Sequence, residues 1–376
     1  MEYRELGSSG VEVSEVGFGA WVVGTDWWGD RSREEAVEMV RHALDRGVTF
    51  FDTGDVYGHG DSERLVGEAL DGRRDEVALS TKVGYDFYNN PQAGHGELPK
   101  RVDPEWIDTA LDRSLERLGT DYVDLLMLHN ANVGEVDADV LATLDELRDS
   151  GRVEAVGWAL GPSIGWLAEA TKAVEEGFDA VQLVFNVFEQ VPGRHAIEEI
   201  RRLDADTSVI PRVPHSSGLL NEQVTPDTEL GEGDHRAHRP DEWYETGWEK
   251  VEALRFLERP GESGAGTADG AGGEGGEPRA DPDRAEGART MGQAAIQWLL
   301  AHDEVATVTP TFRTTDDVDE WASAPDTPPL SDAEFERVEE LYRENFGVDR
   351  DDGMDALRSS VGGADLEGTG MQSAGD

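Results

Sequence analysis

Short apolar segments alternate along this chain with longer segments in which apolar residues recur every three to four positions. The short segments are almost wholly apolar and rich in β-branched residues, which predicts strands buried on both faces. Eight of them occur, at residues 16–20, 49–52, 77–82, 122–129, 153–159, 180–185, 208–213 and 305–309. The longer segments have the period of amphipathic helices, most clearly at 33–46, 62–70 (with Ser62 as its cap), 104–118 and 139–150.

Repeated strand–helix units of this kind predict a parallel sheet. Eight units in a chain of 376 residues favour a single α/β domain, a closed (β/α)8 TIM barrel. An open doubly wound sheet is the alternative, and it requires a Gly-x-Gly-x-x-Gly turn after an early strand. Because Gly17, Gly19 and Gly24 lack that spacing, the barrel is the preferred prediction.

Two segments lack the alternation. Residues 261–287 consist mainly of Gly, Ala, Glu, Asp and Pro, and residues 347–376 have a similar composition. Such sequences bury too little apolar surface to order themselves. We therefore predict a barrel over residues 1–346 with a low-complexity, disordered insertion at 261–287, followed by an acidic flexible tail at 347–376.

The chain is strongly acidic. Its 81 Asp and Glu residues against 33 Lys and Arg residues give a formal net charge of −48. Self-repulsion of this size destabilises a fold at low ionic strength and is screened by salt. Since the acidic residues occur in every predicted helix, we expect adaptation to a salt-rich cytoplasm, such as that of a haloarchaeon; an acidic protein with a disordered tail is the alternative. The charge also argues against nucleic acid as a partner, because phosphate binding needs a basic face.

Several other classes are disfavoured. The chain has no cysteine, so disulfides and thiolate metal sites are excluded. The histidines lack the His-x-His or His-Glu-x-x-His spacing of common metal sites. No apolar run reaches the roughly 18 residues of a membrane span, and the first residues lack an apolar secretion core. We expect a cytoplasmic protein without a metal.

Polar residues end three consecutive predicted strands. Asp52 ends the second, Lys82 the third and His129 the fourth, and Tyr57 follows Asp52 in a short loop. Each alone also fits a structural role, but together they lie where barrel enzymes hold their active sites. An ammonium favours ionisation of a nearby phenol, a carboxylate compensates the ammonium, and an imidazole can direct a hydrogen bond. With a hydride source, this set predicts reduction of a carbonyl.

The same residues stand in sequence runs that resemble the signature of the aldo-keto reductase superfamily, in its microbial branch. These runs are 51–58 with Ser62, Glu63 and Gly67, then 80–82 and 126–129, together with the start at 6–14. The resemblance extends over residues 3–345 apart from the glycine-rich insertion. It implies a barrel that reduces aldehydes or ketones with NAD(P)H, and a catalytic tetrad at Asp52, Tyr57, Lys82 and His129.

The resemblance also implies a cofactor groove. NADPH is the expected cofactor, with NADH as the alternative, and Arg313 is placed to pair with a 2′-phosphate. Gln182 corresponds to a residue that holds the nicotinamide carboxamide, and Arg212 to an arginine that lies against the nicotinamide in one subgroup. The other implied contacts are Gly19, Trp21, Ser216, Gly218, Leu220 and Glu320. The chain departs from the family at 157–160, where the usual polar side chains are missing.

Other functions stay open at this stage. A non-catalytic barrel that binds nicotinamide as a sensor or accessory subunit would account for the altered run at 157–160. An aldolase-like barrel would use Lys82 as a Schiff-base nucleophile. The substrate of a reductase would be a small carbonyl compound. The aromatic residues expected to line an apolar mouth, or only to pad its rim, are Trp21, Trp27, Trp28, Phe87 and Tyr88.

Overall fold

A computed structural model describes residues 1–25, 31–90, 98–161, 165–229, 241–260 and 287–348. The predicted insertion at 261–287 and the predicted tail at 347–376 therefore lie almost entirely outside the described residues. Trp27 and Trp28 also lie outside them.

The chain begins with a small antiparallel hairpin that the sequence pattern did not predict, formed by β1 (Tyr3–Glu5) and β2 (Glu12–Ser14). Seven parallel strands follow and form one sheet in chain order. They are β3 (Phe18–Gly19), β4 (Phe50–Asp52), β5 (Ala78–Val83), β6 (Val123–His129), β7 (Val153–Ala159), β8 (Ala180–Val184) and β9 (Ser208–Arg212). Each strand pairs with its neighbour in sequence, as βα crossover units require.

The eighth predicted strand is present only as isolated bridges, so the prediction of a regular strand over 305–309 was wrong. Val305 and Thr309 pair in parallel with β9, and Val308 pairs in parallel with Val16 beside β3. Pro211 interrupts the ladder, because it accepts hydrogen bonds from Thr309 but has no N–H to donate in return. The segment still joins the two edges of the curled sheet, which gives the TIM-barrel-like fold that the sequence predicted.

Ten helices are found in the described residues. They are α1 (Arg33–Asp45), α2 (Asp61–Ala69), α3 (Pro104–Leu118), α4 (Ala138–Asp149), α5 (Leu167–Glu175), α6 (Val191–Leu203), α7 (Asp241–Ala253), α8 (Met291–Leu300), α9 (Thr315–Ala322) and α10 (Asp332–Arg343). The prediction that Ser62 caps α2 was wrong. The helix begins at Asp61, and the buried Ser62 hydroxyl bonds instead to the Ala20 carbonyl and to Thr53 Oγ1, each at 2.8 Å. None of these helices is long and apolar enough to cross a membrane.

Along each strand, successive side chains point alternately into two apolar layers. Phe50, Leu125 and Met127 belong to a small cluster inside the curled sheet, whereas Phe51 and Leu126 belong to the large core beneath the helices. Because side chains alternate along a strand, residues two positions beyond the inner set also face inwards. Inward-facing strand ends of this kind are supplied by Asp52, Lys82, His129, Gln182 and Arg212.

Candidate active site

Lys82 and Asp52 form a buried ion pair at the ends of β5 and β4. The Lys82 side chain is 0% exposed, and its Nζ lies 2.6 and 2.7 Å from the two carboxylate oxygens of Asp52. The ammonium also donates to the Thr53 carbonyl at 2.6 Å. Burying a charge is costly unless it is paired and hydrogen-bonded, and here all three contacts compensate the ammonium. The pair brings together two of the four predicted catalytic residues.

Two further side chains fix the Asp52 carboxylate. Ser80 donates its hydroxyl to Oδ1 at 3.1 Å, and Gln182 donates its amide to Oδ2 at 2.9 Å. Gln182 is 1% exposed. The sequence resemblance assigned it to the cofactor, and that assignment stays a prediction; what the structure adds is a contact with the carboxylate of the ion pair.

Tyr57 lies beside this pair in a short 3-10 turn. The centre of its ring is 5.0 Å from Lys82 Nζ and 6.5 Å from the centre of the Trp21 ring. The turn depends on Gly58, which has a φ of 57°. A residue with a Cβ would not fit here, because that atom would lie 1.8 Å from the Gly24 carbonyl oxygen. The local sequence therefore holds the phenol against the ammonium.

His129 completes the group and is 2% exposed. Its ring meets those of Tyr57 and Tyr85 edge-on, with centroids 5.6 and 5.1 Å apart. Asn130 Nδ2 donates to the Tyr85 hydroxyl at 2.7 Å. Sequence reasoning missed Tyr85 and Asn130. Asn130 directly follows β6 and Tyr85 lies two residues after the end of β5, and this nearness to strand ends was the signal that could have found them.

A second cluster of buried charges contains Asp55, Glu63 and Arg117, and sequence reasoning gave none of these three residues a role. Glu63 accepts hydrogen bonds from Arg117 Nε at 2.6 Å and from Thr81 Oγ1 at 2.5 Å. Asp55 is 0% exposed, and neither of its carboxylate oxygens has a side-chain partner among the described residues. Burial, and then the charge of Glu63, raise the pKa of Asp55 well above its ordinary value.

Arg212 ends β9 and reaches across to the loop after β7. Its Nη2 donates to the carbonyls of Leu160 and Gly161. Burial lowers its pKa, and the charges of Tyr57 and Asp52 act in the opposite direction. The structure thus brings Arg212 to the same place as the ion pair. The run at 157–160 supplies main-chain carbonyls there in place of polar side chains.

Arg313 lies farther along the sheet edge, next to Arg31. Arg31 Nη2 donates to the Arg313 carbonyl, and burial, followed by the charge of Arg313, lowers the pKa of Arg31. Among the described residues, neither guanidinium forms an ion pair with a carboxylate. Asp317 accepts bonds from the backbone N–H groups of Arg313 and Thr314 at 2.7 and 3.1 Å, which holds the loop before α9. Sequence reasoning missed Arg31.

The other predicted cofactor contacts flank the same edge. Gly19 lies against the segment that follows residue 309, since a Cβ there would be 3.1 Å from the Pro310 carbonyl oxygen. The amides of Gly218 and Leu220 donate to the His215 carbonyl at 3.1 and 3.0 Å, so the turn around Ser216 is closed by its own bonds. Glu320 lies in α9, whose first turn follows Arg313.

Comparison with known proteins agrees with this architecture. The model of the family described as "Aldo/keto reductase family" matches residues 15–271, more than half of the chain. The chain is 36% identical over 159 residues to aldo-keto reductase YhdN of Bacillus subtilis; that match covers 42% of this chain and 46% of the relative, just under half of its length. It is 28% identical over 305 residues to aldo-keto reductase yakc [NADP(+)] of Schizosaccharomyces pombe, with 80% of each chain covered.

Solved structures give the same result. The holo form of aldo-keto reductase AKR11C1 from Bacillus halodurans superimposes with a TM-score of 0.68 at 25% identity, covering 91% of this chain and 96% of that one. Glycerol dehydrogenase AKR11B4 from Gluconobacter oxydans gives a TM-score of 0.71 at 19% identity, with coverage of 93% and 98%, and supports the fold. The chain therefore belongs to the aldo/keto reductase family and is an oxidoreductase.

Proposed function

We propose that this protein reduces aldehydes or ketones with a nicotinamide cofactor and that Tyr57 supplies the proton. The observation that carries the proposal is the fully buried Lys82 ammonium, held by both oxygens of Asp52 and 5.0 Å from the centre of the Tyr57 ring. No bulk water is needed to keep this cation in place. A phenol beside a fixed cation is poised to release its proton, since the cation stabilises the phenolate that remains.

Each residue has a defined part in this scheme. Tyr57 donates a proton to the substrate oxygen, and Lys82 stabilises the phenolate left behind. Asp52, together with Ser80 and Gln182, keeps the ammonium from moving. His129, whose ring meets that of Tyr57 edge-on, directs the substrate oxygen towards the phenol.

The residues present fit a nicotinamide dinucleotide. Two buried donors, Arg212 Nε and Arg313 Nε, have no acceptor among the described residues, and a buried donor without a partner is costly unless a ligand supplies one. Arg212 would hold the nicotinamide end, with Gln182. Arg313 and Arg31 would hold a 2′-phosphate, which favours NADPH over NADH. When bound, this cofactor supplies the hydride.

The same contacts disfavour the aldolase-like alternative. Lys82 Nζ donates to three acceptors, two of them on one carboxylate. A Schiff-base lysine must reach its neutral amine form to attack a carbonyl. Since the carboxylate stabilises the ammonium, this geometry supports an electrostatic role for Lys82.

Turnover of the purified protein tests the proposal. NADPH and a panel of aromatic and aliphatic aldehydes would be supplied in molar KCl, with NADPH oxidation and alcohol formation both measured. Tyr57→Phe should lower kcat by roughly 10²–10⁴-fold while NADPH still binds, measured by fluorescence. Tyr122→Phe is the matched control, because that ring packs under Arg74 at 4.0 Å, outside the site.

Two results would overturn the proposal. Turnover that survives in Tyr57→Phe would remove the phenol from the mechanism. Tight NADPH binding without turnover of any aldehyde or ketone would instead establish the sensor or accessory function.

We also infer that the enzyme works in a salt-rich cytoplasm. The net charge of −48 supports this inference, because repulsion within such a surface is relieved only by a high concentration of counterions.

A further inference from the structure

Lys100 lies next to the candidate active site although no sequence motif points to it. The loop after β5 returns to its own start, where Asp86 N donates to the Pro99 carbonyl at 2.9 Å and Arg101 N to the Gly84 carbonyl at 2.8 Å. These two bonds flank Tyr85 and Lys100 and make them a non-hydrogen-bonded antiparallel pair. Side chains of such a pair lie close together on one face.

That face is the one that carries the catalytic group. The Tyr85 ring meets the His129 ring at 5.1 Å, and its hydroxyl bonds to Asn130. Lys100 is therefore separated from His129 by a single side chain. A substrate that reaches both Lys100 and the His129–Tyr57 pair would therefore pass beside Tyr85.

The Lys100 ammonium lacks an anionic partner in the described part of the chain. It lies 3.3 Å from Asn132 Oδ1 and 5.0 Å from the centre of the Trp166 ring. It is half-buried, and burial lowers its pKa. In a chain with 81 acidic residues and only 33 Lys and Arg residues, a partly buried cation without a carboxylate contact calls for a functional explanation.

Two carboxylates lie farther away and oppose the lowering of that pKa, those of Glu135 and Glu169. Both are engaged with backbone amides: Glu135 Oε2 accepts from Asn132 N at 2.6 Å, and Glu169 Oε1 accepts from Val133 N at 2.9 Å. They shape the loop after β6. They leave the ammonium free to meet an anion from the substrate side.

Trp166 lies beside Lys100 and offers one further donor. Trp166 is 5% exposed, and its indole N–H has no acceptor among the described residues. Its ring packs on Gly161, where a Cβ would lie only 1.9 Å from it. The Gly161 carbonyl in turn accepts from Arg212. A chain of contacts through Trp166 and Gly161 thus connects Lys100 to Arg212.

We propose that Lys100 binds a carboxylate of the substrate, so that the preferred substrates are aldehydes or ketones that carry a carboxylate group. This inference rests on the proposed reductase function. Asn132 Oδ1, which accepts from Lys100 Nζ at 3.3 Å, orients the ammonium. A neutral carbonyl compound would leave Lys100 without its counter-charge and would bind less tightly.

A matched pair of substrates tests the proposal. 4-Carboxybenzaldehyde carries the anion, and its methyl ester keeps the ring and the para carbonyl without the charge. In the unaltered protein, kcat/KM should be roughly tenfold higher for the acid. Lys100→Met should abolish that preference by raising KM for the acid, leaving kcat and both constants for the ester unchanged. Lys100→Arg should retain it, and Lys100→Glu should reverse it.

Lys172→Met is the control for a purely structural effect. Lys172 Nζ donates to the carbonyls of Val133 and Val136 and so holds the same loop after β6. If this variant also loses the preference for the acid, or if Lys100→Met impairs both substrates equally, the proposed carboxylate contact is wrong. Equal kcat/KM values for acid and ester in the unaltered protein would overturn it as well. Absence of turnover with either substrate, and with the wider panel, would instead count against the reductase function.

Binding of the non-reactive 4-carboxybenzyl alcohol gives a readout that does not depend on turnover. Its Kd, measured by calorimetry at fixed ionic strength in the presence of NADPH, with which the alcohol cannot react, should rise roughly tenfold in Lys100→Met. The Kd of benzyl alcohol should not change. Fixed ionic strength matters because salt screens partly exposed charges.

Discussion

Gln182 donates its amide N–H to Asp52 Oδ2 at 2.9 Å, although their strands β8 and β4 are four positions apart in the sheet. Such a bond is possible only because the sheet curls until opposite strands face each other across its interior. The same bond links a residue expected at the cofactor to the carboxylate that holds Lys82.

Loss of this bond should impair turnover. Gln182→Leu removes a donor from a buried carboxylate, which costs about 1.5–3 kcal/mol, and allows the ion pair to shift. We expect kcat to fall roughly tenfold or more, measured at saturating NADPH. Gln297→Leu is the control. Gln297 lies in α8, and its Nε2 donates to the Ala324 carbonyl at 2.6 Å. This variant should lower stability but preserve kcat. An unchanged kcat in Gln182→Leu would show that Asp52 is held well enough by its other partners.

The buried carboxyl of Asp55 should make stability depend on pH. Its folded pKa is raised well above the ordinary 3.8, by burial and by Glu63, so the folded state keeps a proton that the unfolded state releases. The stability that this proton confers is complete below pH 3.8 and is lost as pH rises towards the folded pKa, by about 1.4 kcal/mol per pH unit.

Asp55→Asn should remove this loss. At neutral pH, the variant should be more stable than the unaltered protein in urea denaturation, and the two should converge below pH 3.8. Asp71→Asn, at an exposed position, is the control and should change little. Lower stability of Asp55→Asn at neutral pH would mean that the carboxyl makes compensating bonds.

His215 should give the opposite dependence. Burial lowers its pKa from 6.5 to about 4, and its Nε2 donates to the Gly292 carbonyl at 3.2 Å. Because the unfolded state binds a proton that the folded state refuses, stability is complete above pH 6.5 and is lost as pH falls towards 4, by up to about 3 kcal/mol. His215→Gln keeps an N–H donor but cannot titrate. The denaturation midpoint of this variant should therefore depend less on pH between 6.5 and 4. If the slope persists in the variant, another group is responsible.

The sequence allowed residues at strand ends to be placed correctly, but it did not show contacts that form only when distant segments meet. Asp52, Lys82 and His129 could be placed together because each ends a strand, and period-two alternation turns all three inwards. Tyr85 and Lys100 could not be paired, because the loop between them must first fold back on itself. The strand at 305–309 was overestimated because its apolar pattern does not show that Pro211, on the neighbouring strand, cannot donate to it. Arg31 and Arg313 meet through tertiary contacts that no local pattern records.

Those two arginines should determine the choice of cofactor. Neither has a carboxylate ion-pair partner among the described residues, and Arg31 donates to the Arg313 carbonyl. A 2′-phosphate would accept forked hydrogen bonds from both. Arg313→Met and Arg31→Met should each raise KM for NADPH roughly tenfold and leave KM for NADH unchanged, with Arg343→Met as a control on α10. Equal effects on the KM values for NADPH and NADH would mean that the arginines stabilise the loop before α9 and do not bind the 2′-phosphate.

The acidic surface should make folding depend on salt. With a net charge of −48, repulsion is strong at about 0.1 M salt, where the screening length is about 10 Å, and weak at molar salt, where it is about 3 Å. We expect the thermal midpoint to rise steadily between these conditions in KCl, and far less in sucrose of equal osmolality. A variant with Gln at exposed Glu34, Glu38, Glu116 and Glu146, none of which forms an ion pair in the described residues, should be more stable than the unaltered protein at low salt and should respond less to KCl. A midpoint that does not change with KCl would show that specific pairs, such as that of Arg152 with Asp108 at 2.6 Å, offset the repulsion without added counterions.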